Sequence, residues 1–437
     1  MTNKEIIFTT PNRTDNSYFS TDNDYETTYY FQVSMIDDWG YEVFSNIESI
    51  DPEYVTFIKS HDSGSEVDIG YRGVQTTNDK YKILGKTSSD VIMIGTDRSG
   101  LVPTFNYFSY GPNDTPVDLI SNDGDGYVFL SNITNSNSDT DIRITKIDQN
   151  GSPIWNVIHG FIDPYDQSSG NADFGLDLAN DISETADGGY VISGQYNTEE
   201  ERHWDLWILK LNNFGEKENE HILTAFPESE QIIENGHAIL EINNGYIVLG
   251  SLHEYDLDAP SDIWLTHFDF DLSDNGDTLW SSIWDIDAYD YPTSMVANLE
   301  GGYTIAGYSS SSNSGDNGSS WVIKSDIAGA GNILTSFSGN NFIYSMVEDE
   351  NGNYILAGKK TENSNTQGWI ISISPSGVQN WERLYGDSDI DAFYSIEQTS
   401  DKGFILSGET YNNGIGDILL SLIHISEPTR LRRISYA

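Results

Sequence analysis

The sequence predicts an all-β fold, namely a β-propeller built from four-stranded antiparallel blades. Three observations support this prediction. The apolar stretches are short and are separated by turn residues. The chain is rich in Tyr (26), Phe (18), Trp (10) and Gly (39), and one sequence unit recurs along it. Short strands, aromatic residues and regular repeats together are typical of blades stacked around an axis.

The repeat unit predicts the four strands of a blade, A to D. Its clearest copy reads Asp-Gly-Gly-Tyr-Val-Ile-Ser-Gly over residues 187–194, Asp-Leu-Trp-Ile-Leu-Lys-Leu over 205–211 and Asn-Asn-Phe-Gly over 212–215. Strand A precedes the Asp-Gly-Gly turn, strand B begins at the aromatic residue, strand C carries the second motif, and strand D ends near a Trp. The aromatic residue that begins strand B recurs at Tyr41, Tyr81, Tyr127, Tyr190, Tyr246, Tyr303, Tyr354 and Phe404.

These eight copies, 40 to 63 residues apart, predict eight blades, with seven as the alternative. We expect residues 29–422 to form the propeller. Residues 1–28 form an N-terminal segment in which residues 5–10 are expected to supply the missing D strand of the last blade. Residues 423–437, with three Arg between 430 and 433, are similar to translated sequencing-adapter read-through. We predict that this tail is non-native, and leave it out of the functional analysis.

Composition excludes several classes of function. Asp and Glu total 69 against 21 Lys and Arg, a formal net charge of −48, and such a polyanion repels nucleic acid. With 0 Cys, disulfides, thiolate metal sites and Cys nucleophiles are excluded together. No apolar run is long enough for membrane insertion, and residues 1–20 contain no apolar signal-peptide region. We expect a monomer.

The motifs resemble a known class of repeat. The pattern Asp-Gly-Gly-Tyr-x-Ile-x-Gly, Asp-x-Trp-x-x-Lys-Leu, Asn-x-x-Gly-x-x-x-Trp is similar to the propeller repeats of secreted and surface proteins in Bacteroidetes, many of them exported by type IX secretion. It also resembles the quinoprotein-like propeller repeat and, more loosely, the kelch repeat. The resemblance covers about residues 29–422 and implies an extracellular or cell-surface location. The resemblance implies an architecture and not an activity, because propellers carry many different functions.

The loops predict where a ligand binds. The A–B and C–D turns are short and repetitive, whereas the B–C and D–A connections vary in length and lie on the opposite face. Variable loops on a rigid scaffold commonly carry recognition. Aromatic side chains suited to stacking on sugars occur in or beside these loops. The candidate binding residues are Tyr196, Trp204, Tyr255, Trp284 and Tyr289.

A second pattern lies thirteen residues before each strand-B aromatic residue. Five Asp and one Asn occupy this position in the eight copies, which elsewhere have Thr28 and Ile233. The six are Asp68, Asp114, Asp177, Asp290, Asn341 and Asp391. They predict either a ring at the mouth of the central channel that recruits calcium or a basic group, or side chains that cap the backbone where strand A begins.

One loop resembles a calcium site on its own. Asp271, Ser273 and Asn275 follow the opening pattern of a calcium-binding loop, but position twelve is Ser282 instead of Glu. We treat this loop as a candidate metal site, with a long polar C–D turn as the alternative. Calcium is the only cofactor that the sequence suggests.

The sequence identifies no catalytic residue. The His residues lack metal-ligand spacing, and neither a Gly-x-Ser-x-Gly nor a phosphate-binding loop occurs. We therefore predict a non-catalytic propeller that binds a polysaccharide or a surface protein through its variable-loop face. The alternatives are a carbohydrate-active hydrolase or lyase that uses channel-mouth carboxylates, and a spacer module of a larger adhesin. Separately, Asp285 with Asp287 and Asp290 is an example of carboxylates that could flank a glycosidic bond, since residues two apart in a strand share a face.

Overall fold

The structure, a computed structural model, is all-β wherever it is described. The described residues are 29–31, 34–36, 42–44, 48–50, 57–64, 68–88, 90–101, 103–109, 114–122, 126–134, 140–160, 177–197, 204–223, 232–254, 260–272, 278–312, 317–386, 390–412 and 415–424. The chain divides into two compact units: residues 1–55 with 428–437, and residues 56–427.

The smaller unit contains four short strands in two antiparallel pairs. They are β1 (Tyr29–Phe31), β2 (Ser34–Ile36), β3 (Glu42–Phe44) and β4 (Glu48–Ile50). Strand β1 pairs with β4, and β2 pairs with β3. Tyr41, the first of the eight aromatic positions, belongs to this unit and lies outside the described residues.

The larger unit forms seven four-stranded antiparallel blades. The strands of blades 1 to 3 are β6 (Ile69–Gln75), β7 (Tyr81–Lys86), β8 (Val91–Thr96) and β9 (Thr104–Phe108); β10 (Thr115–Asn122), β11 (Gly126–Thr134), β12 (Thr140–Ile147) and β13 (Pro153–His159); and β14 (Leu178–Glu184), β15 (Tyr190–Asn197), β16 (Trp204–Leu211) and β17 (Lys217–Leu223). Within each blade the strands pair in chain order.

Blades 4 to 6 repeat this arrangement. Their strands are β18 (Ile232–Ile242), β19 (Gly245–Glu254), β20 (Ser261–Phe268) and β21 (Trp280–Trp284); β22 (Tyr289–Ala297), β23 (Tyr303–Ser310), β24 (Ser319–Ser325) and β25 (Gly331–Ser336); and β26 (Asn340–Glu348), β27 (Tyr354–Glu362), β28 (Asn365–Ile373) and β29 (Gln379–Tyr385). A single parallel bridge, Ser261 to Tyr289, links blades 4 and 5.

Blade 7 shows how the ring closes. It consists of β30 (Asp391–Gln398), β31 (Phe404–Asn412), β32 (Ile415–Ile423) and, as its outer strand, β5 (Phe57–His61) from the N-terminal side of blade 1. Its strands β30, β31 and β32 all contact β6 of blade 1. The ring is therefore complete with seven blades: the predicted count of eight is wrong, and the alternative of seven is correct.

The predicted closing strand is also corrected. Strand β5 pairs with β32, with His61 opposite Ile418 and Phe57 opposite Leu422, whereas residues 5–10 lie outside the described residues. The chain therefore does close its last blade with an N-terminal strand, but it uses a later segment than the sequence analysis expected. Strand β32 ends at Ile423, one residue inside the tail that was set apart.

Aromatic and aliphatic side chains fill the spaces between blades. Trp207, Trp321 and Trp369 on the C strands are almost fully buried. Trp155 of blade 2 packs edge-on against Tyr190 of blade 3, with ring centroids 6.2 Å apart. A blade cannot cover both of its apolar faces by itself, so this packing makes the stability of each blade depend on its neighbours.

Candidate functional site in the central channel

A β-bulge in strand A of every blade shapes the central channel. The pairing of strands A and B skips one residue at the same place in all seven blades. A bulge leaves its extra residue outside the ladder and redirects the side chain. We call these residues the bulge ring; they all line one central cavity of about 360 Å³ and are Tyr71, Val117, Asn180, His237, Thr293, Tyr344 and Tyr394.

The residue that follows each bulge also lines the cavity, and these seven residues form the inner polar ring, in which blade 4 alone has an apolar member, Ala238. Its members are Arg72, Asp118, Asp181, Ala238, Ser294, Ser345 and Ser395. In blades 5 to 7 this residue is Ser, and its hydroxyl accepts a backbone N–H from the next blade: Met346 N–H donates to Ser294 Oγ (3.1 Å), Ile396 N–H to Ser345 Oγ (3.2 Å) and Gly73 N–H to Ser395 Oγ (3.2 Å).

In blades 1 to 3 the inner polar ring is charged. Arg72 Nε lies 3.3 Å from Asp118 Oδ1. Asp181 Oδ2 accepts the N–H of Ile239 (2.7 Å), so it performs the structural task that Ser performs in the other blades. Blades 1 to 3 therefore keep the ring connected while placing ionisable groups in the cavity.

Burial controls the charge of this cluster. Burial raises the pKa of Asp181 to about 8, and the hydrogen-bonded Asp118 carboxyl adds to that rise. Burial also raises the pKa of Glu397 in blade 7, and the positive charge of Arg72 in the adjacent blade 1 opposes that rise. At neutral pH Asp181 therefore keeps its proton, and its carboxyl group can donate a hydrogen bond to Asp118.

The bulge ring adds an imidazole on the same side of the cavity. His237 Nε2 lies 2.9 Å from Ser251 Oγ, and burial lowers the pKa of His237 to about 4. His237 is accordingly neutral at physiological pH, where it offers hydrogen bonding without charge.

Blades 5 to 7 present an aromatic arc beside the cavity. Its members are Tyr291, Tyr308, Phe342, Tyr344 and Tyr394. Tyr291 stacks on Tyr308 with centroids 4.9 Å apart, and Tyr308 packs edge-on against Phe342 at 4.9 Å and Tyr344 at 6.2 Å. Tyr344 in turn lies 5.3 Å from Tyr394. The arc is thus a continuous surface of rings over three blades.

The tyrosines of the arc are half-buried and remain neutral. Burial raises the pKa of Tyr308, Tyr344 and Tyr394 above the ordinary phenol value. Tyr394 donates its hydroxyl hydrogen bond to Glu409 Oε1. Lys359 Nζ lies 5.0 Å from the centroid of Phe342 and so covers one ring of the arc. The result is an apolar surface edged by phenol hydroxyls.

The predicted ring of acidic residues lies three residues before each bulge. Asp68, Asp114, Asp177, Asp290, Asn341 and Asp391 are all buried, at most 4% exposed. In blade 4 the residue three before the bulge is Glu234 and not Ile233. The A–B turn of this blade, between the paired residues Ile242 and Gly245, is shorter than the Asp-Gly-Gly turn, so a count of thirteen back from the strand-B aromatic residue selects the wrong position. Glu234 is also buried. All seven blades therefore have an acidic or amide side chain at this position.

Three members of this ring contact other groups of the protein. Asp68 Oδ2 accepts Ser63 N–H (2.7 Å), Asn341 Oδ1 accepts Ser320 N–H (2.8 Å), and Asp114 Oδ2 pairs with Arg143 (3.1 Å). These are the contacts that the capping alternative calls for. A metal or basic-group role for the ring stays a prediction.

The structure describes four of the five predicted loop residues, and these four lie on strands of three blades. Tyr196 is 4% exposed and packs in the core between blades 2 and 3. Trp204 begins β16, and Tyr289 begins β22. Trp284 donates from Nε1 to Gly331 O of the next blade (3.3 Å), and Tyr255 lies outside the described residues. Their role in binding stays a prediction.

The candidate calcium loop is described only in part. Asp271 lies in the C–D turn of blade 4, where its carbonyl oxygen accepts a hydrogen bond from Asn219 (2.6 Å); Ser273 and Asn275 lie outside the described residues. Elsewhere, Asp262, Asp285 and Asp290 bring one carboxylate oxygen each within 4.8 Å of one another. Both oxygens of Asp290 already accept hydrogen bonds, from Ser309 and from Ile286 N–H, so this cluster is also explained as a cap.

Neither the bulge ring nor the inner polar ring was predicted from the sequence. A bulge is a property of strand pairing, so a fixed count back from the strand-B aromatic residue cannot reveal it. One signal was available: six of the seven described copies of strand A contain a Ser, Asp or Arg at the position after the bulge, as at Arg72, Asp118 and Ser345. Polar residues that repeat within an inner strand indicate a lined channel.

These features together define the class of protein. The chain forms an all-β propeller with seven described blades, whose channel is lined by polar side chains on one side and aromatic side chains on the other. A comparison with protein-family models finds no match, and a comparison with curated proteins finds none either.

Solved structures of low similarity complete the comparisons. The chain is similar to a catalytically inactive virginiamycin B lyase from Staphylococcus aureus with quinupristin: 10% identity, TM-score 0.48, covering 85% of this chain and 100% of the lyase. It is also similar to an endo-arabinase from Bacteroides thetaiotaomicron: 10% identity, TM-score 0.33, covering 58% of this chain and 96% of the arabinase. At these values neither similarity carries an argument about function.

Among the described residues there is no helix of the length and apolar character that crossing a bilayer requires.

Proposed function

We propose that this chain is a non-catalytic, extracellular or cell-surface propeller that binds a polysaccharide. The observation that supports the proposal most directly is the central cavity of about 360 Å³, with Tyr344 and Tyr394 on one side and Asn180 and Asp181 on another. This volume falls within the range of about 300–1,000 Å³ that is usual for ligand sites. Aromatic rings with polar groups nearby suit the apolar faces and hydroxyls of a sugar.

The extracellular or cell-surface location rests on the resemblance of the repeat. The formal net charge of −48 is compatible with an extracellular location, because dissolved salt screens the repulsion between the negative charges of the protein. A surface protein as ligand stays an alternative outcome of the experiments.

A second candidate function, a carbohydrate-active hydrolase or lyase, draws on the proton that Asp181 keeps at neutral pH. A carboxyl group kept protonated at neutral pH can act as a general acid. However, two carboxyl groups in direct hydrogen-bond contact lie closer than the separation of about 5 Å or more that glycosidases use. Asp118 is also paired with Arg72. The pair is therefore better suited to holding the channel together, and binding is the function that the geometry favours.

The experiment is a glycan-array screen of the full chain, with and without calcium, followed by a reducing-end release assay on every glycan that binds. We expect binding to at least one polysaccharide class without release of product. Silence across the array in both conditions would overturn the proposal and favour the spacer alternative. Product release that Asp181→Asn abolishes would favour the enzyme.

A further inference from the structure

The aromatic arc and the charged cluster lie on different blades, which makes the two sides of the cavity chemically different. Tyr344 and Tyr394 belong to blades 6 and 7, whereas Asp118, Asn180 and His237 belong to blades 2, 3 and 4. In a ring of seven, blades 6 and 7 lie across the axis from blades 2 to 4. A molecule in the cavity would therefore have an aromatic wall on one side and hydrogen-bonding groups on the other.

The aromatic wall can contribute both stacking and hydrogen bonds. The phenols of Tyr344 and Tyr394 stay protonated, since burial raises the pKa of each. Both rings are half-buried and are held by their neighbours, with Tyr344 next to Tyr308 and Tyr394 bonded to Glu409. Rings held in place lose little conformational freedom when a ligand binds.

The opposite wall is polar but carries little free charge. Arg72 pairs with Asp118, Asp181 is protonated at neutral pH because burial raises its pKa to about 8, and His237 is neutral because burial lowers its pKa to about 4. These groups offer hydrogen-bond donors and acceptors to a ligand. Because they carry little free charge, removing water from them when a ligand binds costs less free energy than it would for unpaired ions. A net charge of −48 over the whole chain would at the same time repel an anionic ligand.

A cationic occupant is less well suited to this cavity. Arg72 already compensates the carboxylate that could attract one. Lys359 Nζ already lies within 5.0 Å and 5.7 Å of the ring centroids of Phe342 and Tyr344. Since positive groups of the protein occupy both attractive positions, a neutral ligand fits best.

The shape of the site favours the end of a chain over its middle. The lining strands surround the cavity in a closed ring of seven blades, so a ligand enters it through an end of the channel and not from the side. A cavity of about 360 Å³ has room for only a short stretch of polymer. One terminus could enter while the remainder of the chain stays outside.

We infer that the central cavity binds the terminal unit of an uncharged polysaccharide, with Tyr344 and Tyr394 stacking on its sugar ring and the polar wall binding its hydroxyls. This inference rests on the proposed function and adds the ligand's charge class, the end that is recognised and the two walls that recognise it.

The test begins with the neutral oligosaccharides that bind in the array screen. Each is titrated by calorimetry into the full chain and into the variants Tyr344→Ala, Tyr394→Ala and Tyr344→Phe. Tyr107→Ala is the matched control, because Tyr107 is 49% exposed on β9, the outer strand of blade 1. Loss of a stacking ring should weaken binding about tenfold or more, whereas Tyr344→Phe should retain most of the affinity and Tyr107→Ala all of it.

A second arm does not depend on the folding of variants. The same oligosaccharide is labelled with a bulky fluorophore at one end or the other, and both forms are titrated into the unmodified chain. A label on the recognised end should abolish binding, and a label on the opposite end should leave it unchanged.

The outcomes separate the two proposals. If no glycan binds, the proposed function fails, and the inference fails with it. If neutral glycans bind but neither end label and neither Tyr→Ala variant weakens binding, the proposed function stands and end-on recognition in the cavity is overturned. Preferred binding of anionic glycans would overturn the charge class.

Discussion

Replacing Asp181 by Asn should make the fold less sensitive to alkaline pH. Burial raises the pKa of Asp181 to about 8 in the folded chain, against about 3.9 for an Asp in an unfolded chain. The folded state therefore keeps a proton that the unfolded state releases. The stability gained from that proton is fully present below about pH 4 and is lost progressively as the pH rises to about 8.

The expected size follows from linkage. For a folded pKa of about 8, the contribution falls by roughly 1.4 kcal/mol between pH 7 and pH 9. Asn mimics the protonated acid at every pH: its oxygen can accept the N–H of Ile239, which Asp181 accepts at 2.7 Å, and its amide can donate to Asp118. The difference in the free energy of unfolding between Asp181→Asn and the unmodified chain should therefore shift in favour of the variant by about 1.4 kcal/mol between pH 7 and pH 9.

The assay is urea unfolding at pH 7, 8 and 9, followed by Trp fluorescence. Asp187→Asn is the control. Its carboxyl bonds to Thr185, which lowers the pKa of Asp187 to about 2, so its difference from the unmodified chain should stay constant between pH 7 and pH 9. Parallel pH curves for Asp181→Asn and the unmodified chain would refute the assignment of a proton to Asp181 at neutral pH.

Three further predictions concern stability. Trp321→Ala should lower the free energy of unfolding by about 3–5 kcal/mol, because Trp321 is almost fully buried between blades; chemical denaturation measures it. Ser345→Ala should cost about 1–3 kcal/mol, because the buried N–H of Ile396 loses its acceptor; the denaturation midpoint and faster hydrogen exchange at Ile396 report it. Phe57→Ala should cost about 3 kcal/mol by removing the ring that packs 5.8 Å from Tyr81, and limited proteolysis should then cleave near β5 first.

Exposed positions provide the matched controls for these variants. Ile158 is 51% exposed on the outer strand of blade 2, so Ile158→Ala should change stability by less than about 0.5 kcal/mol. Ser376 lies in a turn, where its hydroxyl contacts Ser374, and Ser376→Ala should be similarly mild. A loss for either control equal to that of its buried counterpart would contradict the packing argument.

Much of the fold could be predicted because its signals are local. The aromatic residue that begins strand B, the Asp-Gly-Gly turn and the strand-C Trp each lie within one blade, and all seven described copies form the predicted strands, from Tyr81 to Phe404. The position of each strand is indicated by its own apolar residues and by the turn residues beside it, within about ten residues of sequence.

The number of blades and the closing strand could not be predicted in the same way. The pairing of β5 with β32 joins segments more than 350 residues apart, as the hydrogen bond from Ser421 to Phe57 O at a separation of 364 residues shows. A repeat count cannot reveal which N-terminal segment supplies that strand. The copy at Tyr41 made eight blades seem complete, but it belongs to the smaller unit.

The candidate site was missed for a related reason. The cavity is lined by two to four residues from each of seven strands, and each set begins at the bulge of its strand. A fixed spacing found the acidic ring but aligned blade 4 wrongly at Ile233, because the turn of that blade is shorter. Register along the chain has to be known before residues such as Tyr344 and Asn180 can be assigned to one site.

The closure of blade 7 by β5 has a consequence for how the chain folds during synthesis. The ribosome makes β5 before the other strands of the propeller, yet its partner strand among the described residues, β32, is made last. Until then β5 has no edge to join, and blade 1 has no neighbour on one side. Blades 2 to 6 can form as they leave the ribosome, but the ring of blades closes only when β32 pairs with β5, which is a single late step. Mutations in either end strand should therefore slow that last step without preventing the middle blades from forming.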